Sequence, residues 1–283
     1  MIPAEFDYVR ATSVTDALSA LAGGNAKLIA GGHSLIPLLR FRLAGAARLV
    51  DISGLAELTG IQERAGGIRI GAATTYRDIL QSPLAARYPL LVEATALIGD
   101  LQVRNCGTIG GALAHADPAS DMAAVVLALG ATFHFRSAAA ERDVPARQFF
   151  KGVFTTAMKD GEILCDILLP PPTAKAGMAY SCFEQKASGY PIAGAAAVVT
   201  ASGKSIASAT LAMTGVGDNA YLADTAALAG VQGDDAAAID KALAGLTKGV
   251  SVNGDIHAPA DYRVHLAKIA GRRAVMAAFG RAG

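Results

Sequence analysis

The sequence has little net charge, few cysteines and no long apolar run. Its net charge is +1 over 283 residues, without a basic cluster, so nothing favours a nucleic-acid partner. The longest apolar runs, residues 122–131 and 193–199, are at most about half the roughly 20 residues of a membrane-spanning helix. The first seven residues lack the charged and apolar regions of a signal peptide. We therefore expect a cytoplasmic protein without a membrane span.

The three cysteines are Cys106, Cys165 and Cys182, and no two of them form a C-x-x-C pair. Iron–sulfur clusters and structural zinc sites use closely spaced cysteines, so neither is predicted within this chain. We interpret the thiols as small buried apolar groups, with Cys106 as the exception to examine because it adjoins a glycine-rich segment.

Several catalytic signatures are missing as well. The sequence has no G-x-S-x-G and no H-E-x-x-H, and neither the dinucleotide fingerprint nor the P-loop signature occurs at its two Gly-Gly turns. No catalytic residue is predicted. Any chemistry must then come from a bound cofactor.

The first Gly-Gly turn lies in a strand–turn–helix unit. Residues 27–30 predict a buried strand, Gly31-Gly32 a turn and Ser34 a helix cap. Pro37 is expected to confine the regular helix to its C-terminal side. Glycines at such a turn let backbone N–H groups approach an anion.

The second turn is predicted at residues 108–112, after an extended stretch over 100–106. We expect a helix to begin after it, with Asp117 as N-cap, Pro118 at the first helical position and Gly130 just past the end.

Two anion-binding turns in one domain suit a pyrophosphate held from both sides, as in FAD. Ser34 and Thr108 add hydroxyl groups. The simpler alternative is that both Gly-Gly pairs only make tight turns.

His115, Asp117 and Asp121 could also be interpreted as a metal cluster, although no further ligand is evident. Asp121 is better suited to accept hydrogen bonds from sugar hydroxyls.

The order of elements predicts an α+β chain with a boundary at the proline run 170–172. Beyond the boundary, the pattern predicts a three-stranded antiparallel meander followed by helices. The predicted strands there are 180–185, 193–200 and 206–214, and the predicted helices are 221–229, 235–246 and 261–279.

Three segments resemble the FAD-binding medium subunit of the molybdenum hydroxylases, most closely the carbon monoxide dehydrogenase type. They are the two glycine segments, residues 30–37 and 108–118, and the strand 49–52. The resemblance implies an FAD-binding domain of the p-cresol methylhydroxylase type over 1–173, with lobes of about 1–56 and 57–173. A smaller C-terminal α+β flavoprotein domain over 178–283 is implied to follow it.

The resemblance also implies the cofactor-binding residues. By motif match the pyrophosphate is held by Ala30, Gly31, Gly32, His33, Ser34, Leu35, Thr108, Ile109, Gly110, Gly111 and Ala112. Asp121 matches the sugar contact, Ile98 and Leu164 match residues that pack on the flavin ring, and Tyr190 and Lys186 match ring-side positions. Ala112 departs from the usual Asn or Ser, which removes one side-chain hydrogen bond.

In this family the substrate reacts at a molybdenum cofactor in a large subunit, and electrons cross two [2Fe–2S] clusters in a small subunit. The resemblance implies that FAD in this chain receives them singly and passes them in pairs to an external acceptor. It implies a dimer of heterotrimers, in the cytoplasm or held at the inner face of the membrane through the complex. A self-contained flavin oxidase and a scaffold that has lost its flavin remain alternatives.

Overall fold

The computed structural model describes residues 2–64 and 66–283. Met1 and Ala65 lie outside the described residues. Met1 is the first residue both of the segment assessed for a signal peptide and of the expected first lobe. The described chain forms three successive sheets of three, five and four strands, and a short two-stranded hairpin. Among these residues no helix combines the length and hydropathy needed to cross a bilayer.

The first segment is a small parallel sheet whose strands are connected by helices. Its elements are β1 (Asp7–Arg10), α1 (Val14–Leu21), β2 (Ala26–Ile29), α2 (Leu35–Arg40) and β3 (Arg48–Asp51). The strand order is β1-β3-β2, and both pairings are parallel. Helix α1 begins at Ser13, whose side chain accepts a hydrogen bond from the Asp16 N–H at 3.0 Å. The strand, turn and helix predicted around Gly31 are present as β2, the loop 30–34 and α2.

The second segment contains a five-stranded antiparallel sheet, ordered β4-β5-β10-β6-β7, and five α-helices. Its elements are β4 (Ile61–Arg64), β5 (Gly67–Gly71), α3 (Tyr76–Gln81), α4 (Pro89–Leu97), α5 (Leu101–Cys106), α6 (Ile109–His115), α7 (Asp121–Ala128), β6 (Thr132–Arg136), β7 (Glu141–Pro145), β8 (Phe150–Gly152), β9 (Thr155–Thr156) and β10 (Ile163–Leu169). Every residue of α7 is buried, which explains why its sequence is continuously apolar after Asp121.

The third segment is an antiparallel sheet, ordered β11-β12-β13-β14, with a long helix packed on it. Its elements are β11 (Ala176–Glu184), β12 (Pro191–Ser202), β13 (Ser205–Thr214), β14 (Tyr221–Leu222), α8 (Ala236–Ala242) and α9 (Ala260–Phe279). The end of α9 approaches β11 so closely that a Cβ on Gly177 would meet the Ala278 carbonyl oxygen. The three predicted strands are present, and β14 is a fourth.

Two local predictions are wrong, and a third holds in part. Residues 100–106 are not extended, because Asp100 caps the short helix α5 by accepting from the Val103 N–H at 2.8 Å. Residues 221–229 are not one helix, since Tyr221 pairs with β13 and only a 3₁₀ turn follows. The interpretation of the thiols holds in part, because Cys165 is buried and Cys182 is half-buried, whereas Cys106, the stated exception, is exposed.

Candidate functional site

A cleft of about 850 Å³ lies where the loop after β2, the start of α6, the end of α4 and the segment 188–190 converge. Its volume falls within the roughly 300–1,000 Å³ typical of small-molecule and cofactor sites. Most of the predicted binding residues border it. They are Ala30, Gly31, Gly32, His33, Ser34, Leu35, Ile98, Thr108, Gly110, Gly111, Ala112, Asp121, Leu164 and Tyr190.

Two predicted residues do not border this cleft. Ile109 is 1% exposed and packs in the core behind the start of α6. Lys186 is exposed and pairs with Glu184 at 2.6 Å, beside a separate, smaller pocket. Ile109 therefore supports the wall of the cleft from behind, whereas the position of Lys186 does not fit the expected ring-side role.

The loop 31–35 carries a run of free backbone donors. Within the described residues, the amide N–H groups of residues 31–35 have no hydrogen-bond acceptor. Gly32 has a φ of +72°, a conformation that L side chains rarely adopt, and its carbonyl accepts the Ile36 N–H at 2.9 Å to open α2. Consecutive free N–H groups in such a turn form a concave anion site. Because this loop borders the cleft, an anion bound there would have donors ready.

The start of α2 differs from the prediction in two details. Ser34 occupies the cap position, but its hydroxyl makes no capping hydrogen bond and so stays available. Pro37 lies within the first turn of α2 rather than before it. A proline is tolerated there because the first N–H groups of a helix have no partner within the helix.

The two glycine segments touch through their backbones. A Cβ on Gly31 would meet the carbonyl oxygen of Cys106 and would lie 3.0 Å from the Cα of Gly107. Only glycine at position 31 lets the first loop lie this close to the second segment. The contact sets the spacing between the two sides of the cleft.

The second segment is helical rather than a turn. Thr108 is the N-cap of α6, and its Oγ1 accepts the Gly111 N–H at 3.1 Å. The amides of Ile109, Gly110 and Ala112 donate to the carbonyls of Thr74, Ala72 and Thr108 at 3.1, 2.8 and 3.1 Å. Among residues 108–112, only the Thr108 amide is without an acceptor in the described part of the chain, so this segment supplies one free N–H donor rather than the predicted run.

The glycines of this segment instead allow other groups to pack closely against the backbone of α6. A Cβ on Gly110 would collide with the backbone of Ala72, so this glycine lets α6 pack on the chain after β5. A Cβ on Gly111 would meet only the Thr108 hydroxyl, at 2.8 Å. Because Gly111 has no side chain, a ligand in the cleft can lie directly against the backbone there.

Asp117 and Pro118 do not begin a helix. Asp117 Oδ1 accepts the Ala119 N–H at 2.8 Å in the turn after α6, where Ala116 has a φ of +52°. Helix α7 begins at Asp121 and is followed, as predicted, by Gly130 with a φ of +66°. Among the described residues, no group of three or more His, Cys, Asp or Glu side chains is placed to hold a metal ion.

Asp121 is a buried carboxylate at the edge of the cleft. It is 6% exposed, and its Oδ1 accepts the Tyr180 hydroxyl at 2.7 Å. Burial raises the pKa of Asp121 to about 7, and the hydrogen bond from Tyr180 opposes that rise. The backbone N–H of Asp121 also bonds its own carboxylate, and no other described residue donates to the second oxygen, Oδ2, so it can accept from a ligand.

The apolar end of the cleft is formed by Ile98, Leu164 and Tyr190. The segment leading to Tyr190 crosses the end of α4, because a Cβ on Gly189 would lie 3.5 Å from the Gly99 nitrogen. A flat aromatic ring could lie among these side chains.

Sequence reasoning missed three aromatic residues at the site. Tyr76 is buried and borders the cleft, immediately after the Thr75 cap. Phe154 borders the cleft at the tip of the β8–β9 hairpin, with its ring 4.9 Å from that of His115 and a φ of +50°. Tyr180 reaches Asp121 from the third sheet. The Thr75 cap could have drawn attention to Tyr76, whereas the other two depend on distant contacts.

The cleft fits a dinucleotide flavin. Free N–H donors at residues 31–35 suit a pyrophosphate, the Asp121 carboxylate suits sugar hydroxyls, and apolar side chains at the other end suit a ring system. Gly31 and Gly111 leave the room that a Cβ would take.

Comparison with known proteins agrees with this site. Residues 4–172 match the family model of the FAD binding domain in molybdopterin dehydrogenase. Residues 178–278 match that of the CO dehydrogenase flavoprotein C-terminal domain.

Individual relatives match along most or all of the chain. The carbon monoxide dehydrogenase medium chain of Afipia carboxidovorans is 39% identical, with 100% of this chain and 99% of the relative covered. The glyceraldehyde dehydrogenase medium chain of Sulfolobus acidocaldarius is 42% identical over 79% of this chain and 80% of its own length. A chain in the structure of carbon monoxide dehydrogenase from Hydrogenophaga pseudoflava superposes with a TM-score of 0.95 at 36% identity, and both chains are fully covered.

The matches confirm the predicted family, the α+β fold class and the FAD cofactor. Both family models together span nearly the entire sequence. The chain therefore belongs to the FAD-binding medium subunits of the molybdenum hydroxylase family, whose members are oxidoreductases.

Proposed function

We propose that this chain is the electron-transferring flavoprotein subunit of a molybdenum-containing hydroxylase. In this proposal it takes electrons from the [2Fe–2S] clusters of a small subunit and passes them to an external acceptor. A large subunit carries the molybdenum cofactor and oxidises the substrate. The observation that carries the proposal is the run of free amides at residues 31–35 in a loop that borders the cleft, with the second glycine segment as the opposite wall.

The residues divide the work of binding. The free N–H groups of residues 31–35 hold the FAD pyrophosphate, and residues 108–112 approach it closely without competing side chains. Asp121 accepts from the sugar chain, and Ile98, Leu164 and Tyr190 enclose the ring. FAD, when bound, supplies the exchange between one-electron and two-electron transfer. The protein binds it, orients it and limits access of water.

We further propose a two-domain division at 1–173 and 178–283, with lobes of about 1–56 and 57–173 in the first domain. The ranges of the two family models support the boundary near the proline run. Three core clusters, each centred in one segment, support the lobes and the second domain, although neighbouring segments contribute residues such as Ala196 to the second core and Ile163 to the first. The complex is proposed to be a cytoplasmic dimer of heterotrimers, in which any association with the inner face of the membrane occurs through the complex.

Purification of the chain with its native partners tests the proposal. We expect a yellow complex that contains molybdenum and iron, and that releases FAD when denatured. Reduction by the substrate of the complex should bleach the flavin absorbance only while the iron–sulfur subunit is present. A chain that purifies as an active monomer without molybdenum and iron would instead be a self-contained flavin oxidase. A colourless chain that does not bind added FAD would be a scaffold.

A further inference from the structure

Tyr180 reaches from the third sheet to the carboxylate at the edge of the cleft. Its hydroxyl donates to Asp121 Oδ1 at 2.7 Å, across 59 residues of sequence. Its backbone N–H donates to Glu93 Oε2 on α4 at 3.0 Å. Glu93 Oε1 also pairs with Arg281 near the C-terminus at 2.5 Å. Tyr180 is therefore fixed at both its backbone and its side chain against the FAD-binding segment.

The neighbouring strands leave room for this phenol and hold the start of α7. A Cβ on Gly194 in β12 would meet the Tyr180 hydroxyl oxygen and would lie 2.9 Å from Thr214 Cγ2. The Thr214 hydroxyl in β13 bonds the carbonyl of Ser120 at 2.9 Å, directly before Asp121. Two strands thus converge on the first residue of α7, and a glycine in the strand between them makes space for the contact.

The Asp121 carboxylate has one oxygen engaged and one available. Oδ1 accepts from Tyr180, whereas no hydrogen bond from any other described residue reaches Oδ2. The backbone N–H of Asp121 also bonds its own carboxylate. The carboxylate is nine-tenths buried and borders the cleft, so a ligand in the cleft can reach it. A rotation of the side chain would exchange the two oxygens. The hydrogen bond from Tyr180 selects one rotamer.

We propose that Tyr180 is a positioning residue for cofactor binding, whose phenol orients the Asp121 carboxylate so that Oδ2 accepts a hydroxyl of the FAD sugar chain. The inference rests on the proposed function of the cleft. It gives the C-terminal domain a direct part in binding a cofactor whose other contacts lie mainly in the first two segments.

The surroundings of Asp121 give the proposal a pH-dependent signature. The titratable groups around it are Tyr76 on α3, three residues of β11 and Tyr190 beyond that strand; the three on β11 are Tyr180, Cys182 and Glu184. Burial raises the pKa of the Cys182 thiol to about 12, and burial raises the pKa of each of the three phenols. Glu184 is the acidic neighbour that raises the pKa of Asp121.

The test is a titration of FAD into the full-length chain from which flavin has been removed, for wild type and Tyr180→Phe. We expect Tyr180→Phe to weaken FAD binding about tenfold, which corresponds to about 1.4 kcal/mol. The matched control is Tyr221→Phe, because the Tyr221 hydroxyl in the same sheet is buried and has no partner among residues 2–64 and 66–283. Removing this hydroxyl should leave Kd within twofold. In an Asp121→Asn background, Tyr180→Phe should change Kd by less than twofold, because the residue acts through the carboxylate.

A pH series separates positioning from general support of the fold. Wild-type affinity should fall as the pH drops through about 7, since protonation removes the charge that accepts the hydroxyl. Loss of the Tyr180 hydrogen bond raises the pKa of Asp121 further, so the midpoint should move to higher pH in Tyr180→Phe.

Equal Kd values and equal pH midpoints for wild type and Tyr180→Phe would overturn the positioning role while leaving FAD binding intact. Failure of wild type itself to bind FAD would overturn the proposed function instead. If Tyr180→Phe does not fold, Gly194→Ala is measured in the same way, since its methyl group displaces the same hydroxyl oxygen. Unchanged binding by that variant would also overturn the proposal.

Discussion

The contact between Gly31 and the Cys106–Gly107 backbone makes a specific prediction for Gly31→Ala. The added carbon would lie 2.7 Å from the Cys106 carbonyl carbon and closer still to its oxygen. Non-bonded carbon atoms settle about 3.5–4.0 Å apart, so the two segments must separate by roughly 1 Å. No rotamer change relieves the overlap, because the atoms that the methyl group meets belong to the backbone.

The expected cost follows from this geometry. Overpacking of this kind costs about 1–3 kcal/mol, and we expect the free energy of unfolding of flavin-free Gly31→Ala to fall by that amount. The same separation moves the free amides away from the opposite wall of the cleft. We therefore expect FAD to bind at least tenfold more weakly, a loss of about 1.4 kcal/mol or more.

Two measurements check this prediction. Urea denaturation followed by far-ultraviolet circular dichroism gives the free energy of unfolding, and quenching of flavin fluorescence gives Kd. Gly245→Ala is the matched control, since a Cβ there meets no atom within 4 Å and its φ is not positive. If Gly31→Ala behaves like Gly245→Ala in both measurements, the backbone contact does not set the spacing of the two segments.

Three further predictions concern other contacts. Gly32→Val and Gly111→Val should both abolish FAD retention, seen as loss of the yellow flavin absorbance. Gly32→Val, at a φ of +72°, should also destabilise the flavin-free chain more than Gly111→Val, whose Cβ meets only the Thr108 hydroxyl. Equal melting of the two variants would contradict this. Arg263→Ala should cost about 1–3 kcal/mol in urea denaturation, because the carbonyls of Ile192 and Gly215 lose their donor while the half-exposed Asp255 carboxylate becomes solvated. A cost under about 0.5 kcal/mol would refute it. The hydrogen bonds from Arg142 hold the pKa of Glu162 below its usual range. The stabilisation that these bonds provide is therefore present above the unfolded pKa of about 4.3 and is lost as the pH falls through the folded pKa. Glu162→Gln should lower the free energy of unfolding at pH 7 by about 1.5–3 kcal/mol and reduce its dependence on pH in the acid range.

Local chemistry explains the parts of the structure that the sequence predicts well. Gly31-Gly32 follows a short apolar strand, so the position of the first loop follows from turn preferences alone. Thr75 and Asp235 are N-caps, and the side chain of each accepts a hydrogen bond from the backbone N–H three residues later. Both helix starts are predictable, because threonine and aspartate are preferred N-cap residues. The end of α7 before Gly130 follows from the left-handed conformation that glycine adopts.

The second glycine segment was mispredicted because tertiary contacts override helix propensity. Two adjacent glycines each cost about 1 kcal/mol in a helix, so a turn was the better local interpretation. In the fold, Gly110 allows α6 to pack against Ala72, and Thr108 supplies the cap. Residues 221–229 show the same effect, since Tyr221 pairs with Met213 in a sheet instead of starting a helix. Neither contact leaves a signal in the nearby sequence.

The asymmetry between the two glycine segments bears on the unusual Ala112. The amides of residues 109–112 are all engaged within the chain, so polar contact from this wall depends on the Thr108 amide and on side chains. With alanine at position 112, the Thr108 hydroxyl hydrogen is the side-chain donor that remains on the segment. The phosphate charge must then fall mainly on the free amides of residues 31–35, with the Ser34 hydroxyl beside them. It follows that changes which move residues 31–35 should weaken FAD binding more than changes of side chain at position 112.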